Sequence, residues 1–179
     1  MRRVNGLVLS LLALTSLVSG CGYSLAGRGS FLPEYIKNIG VPPFTNGTSI
    51  FDIDRRVTEH VRAELSGRGK YKVFPVEAGN DAVLTGEITS ITITPVTFNQ
   101  QNQASRYAFI MSARVEFKDL KSGKVLWSNP SVQFREEYEP ATAGAVADVT
   151  AFFGQDVNAY DRIATEFARS VVSALLEAF

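Results

Sequence analysis

Between Tyr107 and Phe117 the apolar residues fall on every odd position: Tyr107, Phe109, Met111, Ala113, Val115 and Phe117. Ser112, Arg114, Glu116 and Lys118 fill the other phase. A period of two is that of a strand with one buried face. The preceding segment, Ala82–Phe98, is also β-prone, but its apolar phase changes from even (Leu84, Ile88) to odd (Ile91, Ile93) and back to even (Val96, Phe98). One face of a regular strand cannot carry both phases. The pattern therefore predicts a bulge near Thr89–Ser90 and another at Pro95. Asn99–Ser105 is neutral and polar and reads as a hairpin tip. Lys121-Ser122-Gly123-Lys124 reads as a turn. Val125–Trp127 and Val132–Phe134 form the returning strand, interrupted by Asn129-Pro130. The three segments form an antiparallel meander.

Two stretches carry helical periodicity. Ile53, Val57, Val61 and Leu65 recur at four-residue spacing within Asp52–Arg68, one stripe of an amphipathic helix. Asp52 is placed to cap it, and Gly67 and Gly69 to end it. Val157–Ala178 forms the closing helix, with Tyr160, Ile163, Ala164, Phe167, Val171, Ala174, Leu175 and Ala178 on one face. Tyr35–Val41 reads as a strand near a sheet edge, ended by Pro42-Pro43, with a turn at Asn46-Gly47. Tyr71–Phe74 reads as another strand. Strand, helix and strand in this order predict a parallel pair. The expected fold class is α+β: a two-layer sandwich, a mixed four- to five-stranded sheet with two amphipathic helices packed on one face.

The N-terminus carries a different signal. Arg2 and Arg3 precede an apolar run from Leu7 to Val18, which Ser19 and Gly20 close before Cys21. The run is shorter than the ~20 apolar residues that span a bilayer and has the form of a removable secretion signal. Val18-Ser19-Gly20-Cys21 matches the lipobox of bacterial lipoproteins. We expect residues 1–20 to be the signal peptide, Cys21 the lipidated residue, 21–33 a flexible spacer and 34–179 a single domain. Gly22, rather than Asp, after the cysteine favours the outer membrane.

The chain holds 18 basic and 18 acidic residues. A nucleic-acid binder would show a basic excess. Catalytic chemistry is sparse. His60 is the sole histidine and reads as a boundary residue of the first helix; Cys21 is the sole cysteine. No His/Cys metal cluster can be built from them, and no cofactor is expected. A Ser-His-Asp triad is compatible with composition, but no serine stands in a Gly-x-Ser-x-Gly turn. Gly27-Arg28-Gly29 and Gly67-Arg68-Gly69 do not continue into a phosphate-binding loop. The expectation is a binding protein, not an enzyme.

Cys21-Gly22-Tyr23, Phe31–Asn46, Val57–Val73, Asp81–Ile88 and Ser122–Trp127 together resemble the LPS-assembly lipoprotein LptE family, in family order along most of the mature chain. The resemblance implies a small sheet carrying two helices. It also implies a non-catalytic role as plug and partner of the outer-membrane β-barrel LptD in lipopolysaccharide delivery. Family members contact lipopolysaccharide through basic residues near the hairpin tip. Here the tip is uncharged, and the nearest candidates are Arg106 at its base and Arg114, Lys118, Lys121 and Lys124 further along the hairpin. The amides Asn99, Gln100, Gln101, Asn102 and Gln103, and the pair Phe152 and Phe153, are candidates for barrel contact. The competing expectation is a periplasmic lipoprotein that activates a cell-wall synthase or serves a secretion complex. The short spacer, which reaches about 40 Å at ~3.3–3.6 Å per residue, favours a partner at the same membrane.

Overall fold

The computed structural model describes residues 32–68, 70–139 and 159–179. Along the chain run β1 (Asn38–Gly40), β2 (Thr45–Asn46), α1 (Ile53–Gly67), β3 (Lys72–Phe74), β4 (Ala82–Phe98), β5 (Ala104–Asp119), β6 (Val125–Tyr138) and α2 (Ala159–Glu177). The strands form one mixed sheet in the order β3-β1-β4-β5-β6, with β2 paired to β4. β1 and β3 are parallel, the pairing that the strand-helix-strand order predicted. β4, β5 and β6 are the antiparallel meander. The α+β class is as expected; the two-residue β2 raises the strand number to six.

The core lies between the sheet and the helices. The odd positions of β5 from Tyr107 to Asp119 are buried, as are Leu84 and Ile88 of β4. β4 keeps this face inward by slipping register between Ile88 and Ser90, so that Ile91 and Ile93 sit opposite Met111 and Phe109. Further slips follow between Pro95 and Phe98. Both predicted irregularities are present. Ile53, Val57, Val61 and Leu65 of α1 are fully buried, as are Ile163, Phe167, Val171 and Leu175 of α2.

Arg56 contacts Asp161, His60 contacts Thr165 and Arg68 contacts Ser173. Each pair is 105 residues apart, so the helices run parallel, and both C-termini point to the same end of the sheet.

Several expectations are corrected. β1 is an interior strand, flanked by β3 and β4; Pro42-Pro43 follow its last paired residue and so obstruct neither neighbour. β6 is continuous through Asn129-Pro130, with a register shift there, because an edge strand tolerates a missing donor. Asp52 does not cap α1 through its side chain: it adopts a left-handed φ of 66°, and its carboxylate takes Arg55 instead. Leu32, read as part of the spacer, is buried in the core. Ala174 of α2 and Ala178 just beyond its end are exposed, while Ala168, Val172 and Leu176 are buried. The buried face is rotated because α2 packs on α1 as well as on the sheet.

Candidate functional site

The hairpin of β4 and β5 ends in a tip that one side chain organises. Asn99 Oδ1 accepts the backbone N–H groups of Gln101 and Gln103, at 3.0 and 2.9 Å. Its Nδ2 donates to Gln103 Oε1 at 3.2 Å, and its backbone N–H donates to the Gln103 carbonyl. Asn102 takes a left-handed φ of 57°, a conformation that asparagine tolerates better than most residues. The amides at 99–103 thus form one ordered, uncharged knuckle, with Gln100, Gln101, Asn102 and Gln103 exposed.

No helix or strand among the described residues covers the sheet face opposite the helices, although Ala108 on it is fully buried and Ile110 and Ser112 are half-buried. Thr92 lies opposite Ile110, Thr94 opposite Ala108 and Ser90 opposite Ser112. On β6, Gln133, Arg135 and Glu137 continue these rows, and all three are exposed. The result is a surface of hydroxyls interspersed with charges, among which Arg114 pairs with Glu87 and Arg135 with Glu137. Arg106 is bound by Glu139, with Nε 2.9 Å from Oε1, and lies 3.5 Å from Glu137; these carboxylates raise the guanidinium pKa further. Arg114 Nη1 lies 2.6 Å from Glu87 Oε2. A groove of about 270 Å³ beside that pair is lined by Thr45, Thr85, Gly86, Glu87, Arg114 and Glu116. With two carboxylates to one guanidinium it does not suit a phosphate.

The five cations named from sequence are therefore not one cluster. Arg106 lies near the tip, Arg114 lies midway, and Lys118, Lys121 and Lys124 lie at the far end of the hairpin. At ~3.3 Å per residue the sixteen residues of β5 separate tip and turn by about 50 Å. Cys21, Phe152 and Phe153 fall outside the described residues.

At that far end is a polar knot that sequence reading missed. Asp119, almost fully buried, accepts hydrogen bonds from Tyr35 Oη at 2.7 Å, Ser122 Oγ at 2.6 Å and the Lys121 N–H at 2.8 Å. Asp81 accepts the N–H groups of Lys37 and Asn38 and pairs with Lys121 Nζ at 2.8 Å. Hydrogen bonds to the charged form hold both carboxyls at about 2. The Lys121 ammonium also sits 5.2 Å from the Tyr35 ring centroid. An aspartate three residues before Ser122 and four before Gly123 was the available signal, since such a side chain turns back on its own loop.

His60 shows no catalytic constellation. Its Nδ1 lies 3.1 Å from Thr165 Oγ1 and its Nε2 lies 3.9 Å from Asp161, a contact between helices. Among the described residues no group of three potential metal ligands occurs, and no helix is long and apolar enough to cross a membrane.

Residues 36–175 match the family model described as LptE, lipopolysaccharide-assembly. Among solved structures, the PelC dodecamer from Paraburkholderia phytofirmans is similar at 16% identity and a TM-score of 0.51, covering 83% of this chain and 93% of that one. Uncharacterized lipoprotein B from Nitrosomonas europaea is similar at 12% identity and a TM-score of 0.51, over 84% and 88%. Protein XCC0632 from Xanthomonas campestris is similar at 12% identity and a TM-score of 0.50, over 82% and 87%. At such identities these likenesses concern the fold alone. No curated protein matches the chain.

Proposed function

From the premise that the chain belongs to the lipopolysaccharide-assembly LptE family, we propose that it is the outer-membrane lipoprotein that plugs the LptD β-barrel. In this reading Cys21 carries the lipid anchor, the domain sits at the periplasmic face, and the protein helps deliver lipopolysaccharide to the outer leaflet. The role is non-catalytic and uses no cofactor.

The observation that carries the reading is the bare face of β4, β5 and β6. Large outer-membrane barrels have polar interiors. A surface of threonine, serine and glutamine, with its arginines neutralised by neighbouring carboxylates, can enter such a lumen without stranding an unpaired charge. The self-bonded tip 99–103 offers amide donors and acceptors to the same wall. Direct lipopolysaccharide contact at the tip has less support, because Arg106 is engaged by Glu139 and Glu137.

The test is purification of the tagged full chain from membranes in mild detergent, followed by identification of its companions. A large outer-membrane barrel at equal stoichiometry is expected. A cell-wall synthase or a secretion complex in its place would overturn the proposal.

A further inference from the structure

β4 outruns its neighbours on one side. β1 pairs with it at Ala82 and Val83, and β2 at Glu87 and Ile88. The Gly47 N–H closes that row by donating to the Ile88 carbonyl at 2.8 Å. From Thr89 to Phe98, β4 is paired only to β5 among the described residues, and its other edge is open.

The register fixes which groups that edge presents. Alternate residues of a strand turn both N–H and C=O to the same side. Ile88 turns its carbonyl to the outer edge. The slip between Ile88 and Ser90 inserts one residue and moves the alternation by one. Beyond it Ile91 and Ile93 turn their main chain outward, and Thr92 and Thr94 turn theirs to β5. Pro95 falls in the outward row, where a missing N–H leaves the β4–β5 ladder whole.

Open edges invite a further strand, and proteins guard them with charge, shortness or proline. The other two edges are guarded. β3 is three residues long and starts with Lys72, and β6 carries Pro130, Arg135, Glu136 and Glu137. Thr89–Phe98 holds no charged residue, and seven of its residues are β-branched, which favours strand pairing. Pro95 is its only guard, and the six residues before it have none. Ile91 and Ile93 pack against the core on the helix side but are only half-buried. The loop after β2 holds Phe51, 91% exposed. The Asn46 side chain donates to the Ile50 carbonyl at 2.7 Å, which keeps Phe51 near the point where β2 leaves the edge.

A second copy does not fit this edge. Antiparallel pairing of two copies centred on Thr92 would put the other copy's Val96 and Thr97 opposite Ile88 and Glu87, the places that Asn46 and Thr45 hold. The wall of a closed barrel has no free edge to offer. What fits is a short extended segment with apolar residues at alternate positions, toward Ile91 and Ile93.

We propose that the β4 edge from Thr89 to Thr94 is a strand-addition site, and that its occupant is an extended loop of the barrel partner folded into the lumen. The inference rests on the plug reading and adds a mode of contact to it, main-chain hydrogen bonding along one edge. Tyr35 is held by Asp119 at the opposite end of the sheet, so a plug tethered through Cys21 enters the lumen with this part of the hairpin leading.

The test is residue-resolved amide hydrogen exchange on the tagged full chain in detergent, alone and in the complex recovered from membranes with the barrel. In the chain alone, Ile91 and Ile93 should exchange fast, and Thr92 and Thr94 slowly. In the complex, Ile91 and Ile93 should slow by about tenfold or more, as open amides do on gaining a hydrogen bond. Arg135 is the control: by the same alternation its N–H faces out of the β6 edge, and its exchange should not change.

Ile93→Pro removes an outward donor and leaves the ladder to β5 whole, whereas Ile93→Ala trims the side chain and keeps the donor. Protection of Ile91 in the complex should fall several-fold with proline and hold with alanine. Where either variant unfolds, the wild-type exchange pattern decides. Benzoylphenylalanine in place of Phe51 should cross-link to a loop of the barrel on irradiation. Slow exchange of Ile91 and Ile93 in the chain alone, slowing in the complex that is equal at Arg135, or a cross-link to a wall strand or a second copy overturns the inference. The two proposals fail separately. A chain recovered without a barrel sinks both, whereas a barrel that leaves Ile91 and Ile93 in fast exchange sinks this one alone.

Discussion

The ring of Phe44 occupies the space that a side chain at position 86 would need. A Cβ built on Gly86 would overlap Cε2 of that ring and lie 2.5 Å from its Cδ2. The ring cannot easily retreat, because Phe44 is buried and its N–H donates to Thr58 Oγ1 at 2.9 Å. Thr58 in turn donates to the Asp54 carbonyl on α1. Gly86 thus lets the β1–α1 connection lie flat on β4. Gly86→Ala should destabilise the domain by about 1–3 kcal/mol through overpacking, read as a lower urea midpoint with unchanged slope. In a double-mutant cycle with Phe44→Leu the two changes should couple by roughly 0.5–3 kcal/mol. Additive effects would mean that the two residues do not share this space.

How far such features could be read from sequence depends on their range. The stripe Ile53, Val57, Val61 and Leu65 and the odd phase of β5 are local periodicities, and the structure carries both. The two slips in β4 were legible because a phase change has only one remedy on a sheet with a buried face. The contact of Phe44 with Gly86 was not, because no local pattern joins residues 42 apart. Nor was the interior place of β1: strand order is decided by which edges the α1 crossover brings together, and Pro42-Pro43 suggested an edge that topology overrode. The polar knot at the far end of the hairpin belongs to the same class. Tyr35 and Asp119 are 84 residues apart and meet only because β4 begins where β5 ends, beside the start of β1. Where composition alone decides, as at the neutral tip 99–103, reading and structure agree on an uncharged loop. The role of Asn99 in holding it needed coordinates.

Acid should loosen the polar knot around Asp81 and Asp119 first. Asp81 and Asp119 have an ordinary pKa of 3.8 and are held at about 2 in the folded chain. A carboxyl whose folded pKa is depressed adds stability that is complete above the unfolded value and vanishes as pH falls through the folded one. Stability should therefore be flat from neutrality to about pH 5 as far as these groups are concerned, and decline between about pH 4 and pH 2. Urea midpoints measured across that range check it. Asp119→Asn should lower stability at pH 7 and flatten the decline. A variant that keeps the wild-type slope would show that Asp119 does not drive it.

The tip should be separable from the core. Asn99→Ala removes the acceptor of the Gln101 and Gln103 amides without touching a buried residue. Amide hydrogen exchange at Gln101 and Gln103 should accelerate by about tenfold or more, the factor for ~1.4 kcal/mol of lost local hydrogen bonding. Global stability should stay within the ordinary scatter of surface changes, about 0.5 kcal/mol. Unchanged exchange would show that the backbone bond between Asn99 and Gln103 holds the tip alone.

The bare sheet face can be tested against the rest of the surface. Thr94 is exposed and lies opposite Ala108, so Thr94→Arg adds a long unpaired cation to the surface proposed to enter a barrel. Ala63 is exposed on the flank of α1, away from that face, and Ala63→Arg supplies the same charge there. Neither change should move stability by more than about 0.5 kcal/mol. If β4, β5 and β6 form the contact, Thr94→Arg should reduce recovery of the barrel with the tagged chain by about tenfold or more, because an unpaired charge buried in an interface costs several kcal/mol. Ala63→Arg should retain full recovery. Full recovery with Thr94→Arg, measured by quantitative mass spectrometry of the detergent-solubilised complex, would remove the bare face from the contact. The tip and the helix flanks would then be the surfaces to test.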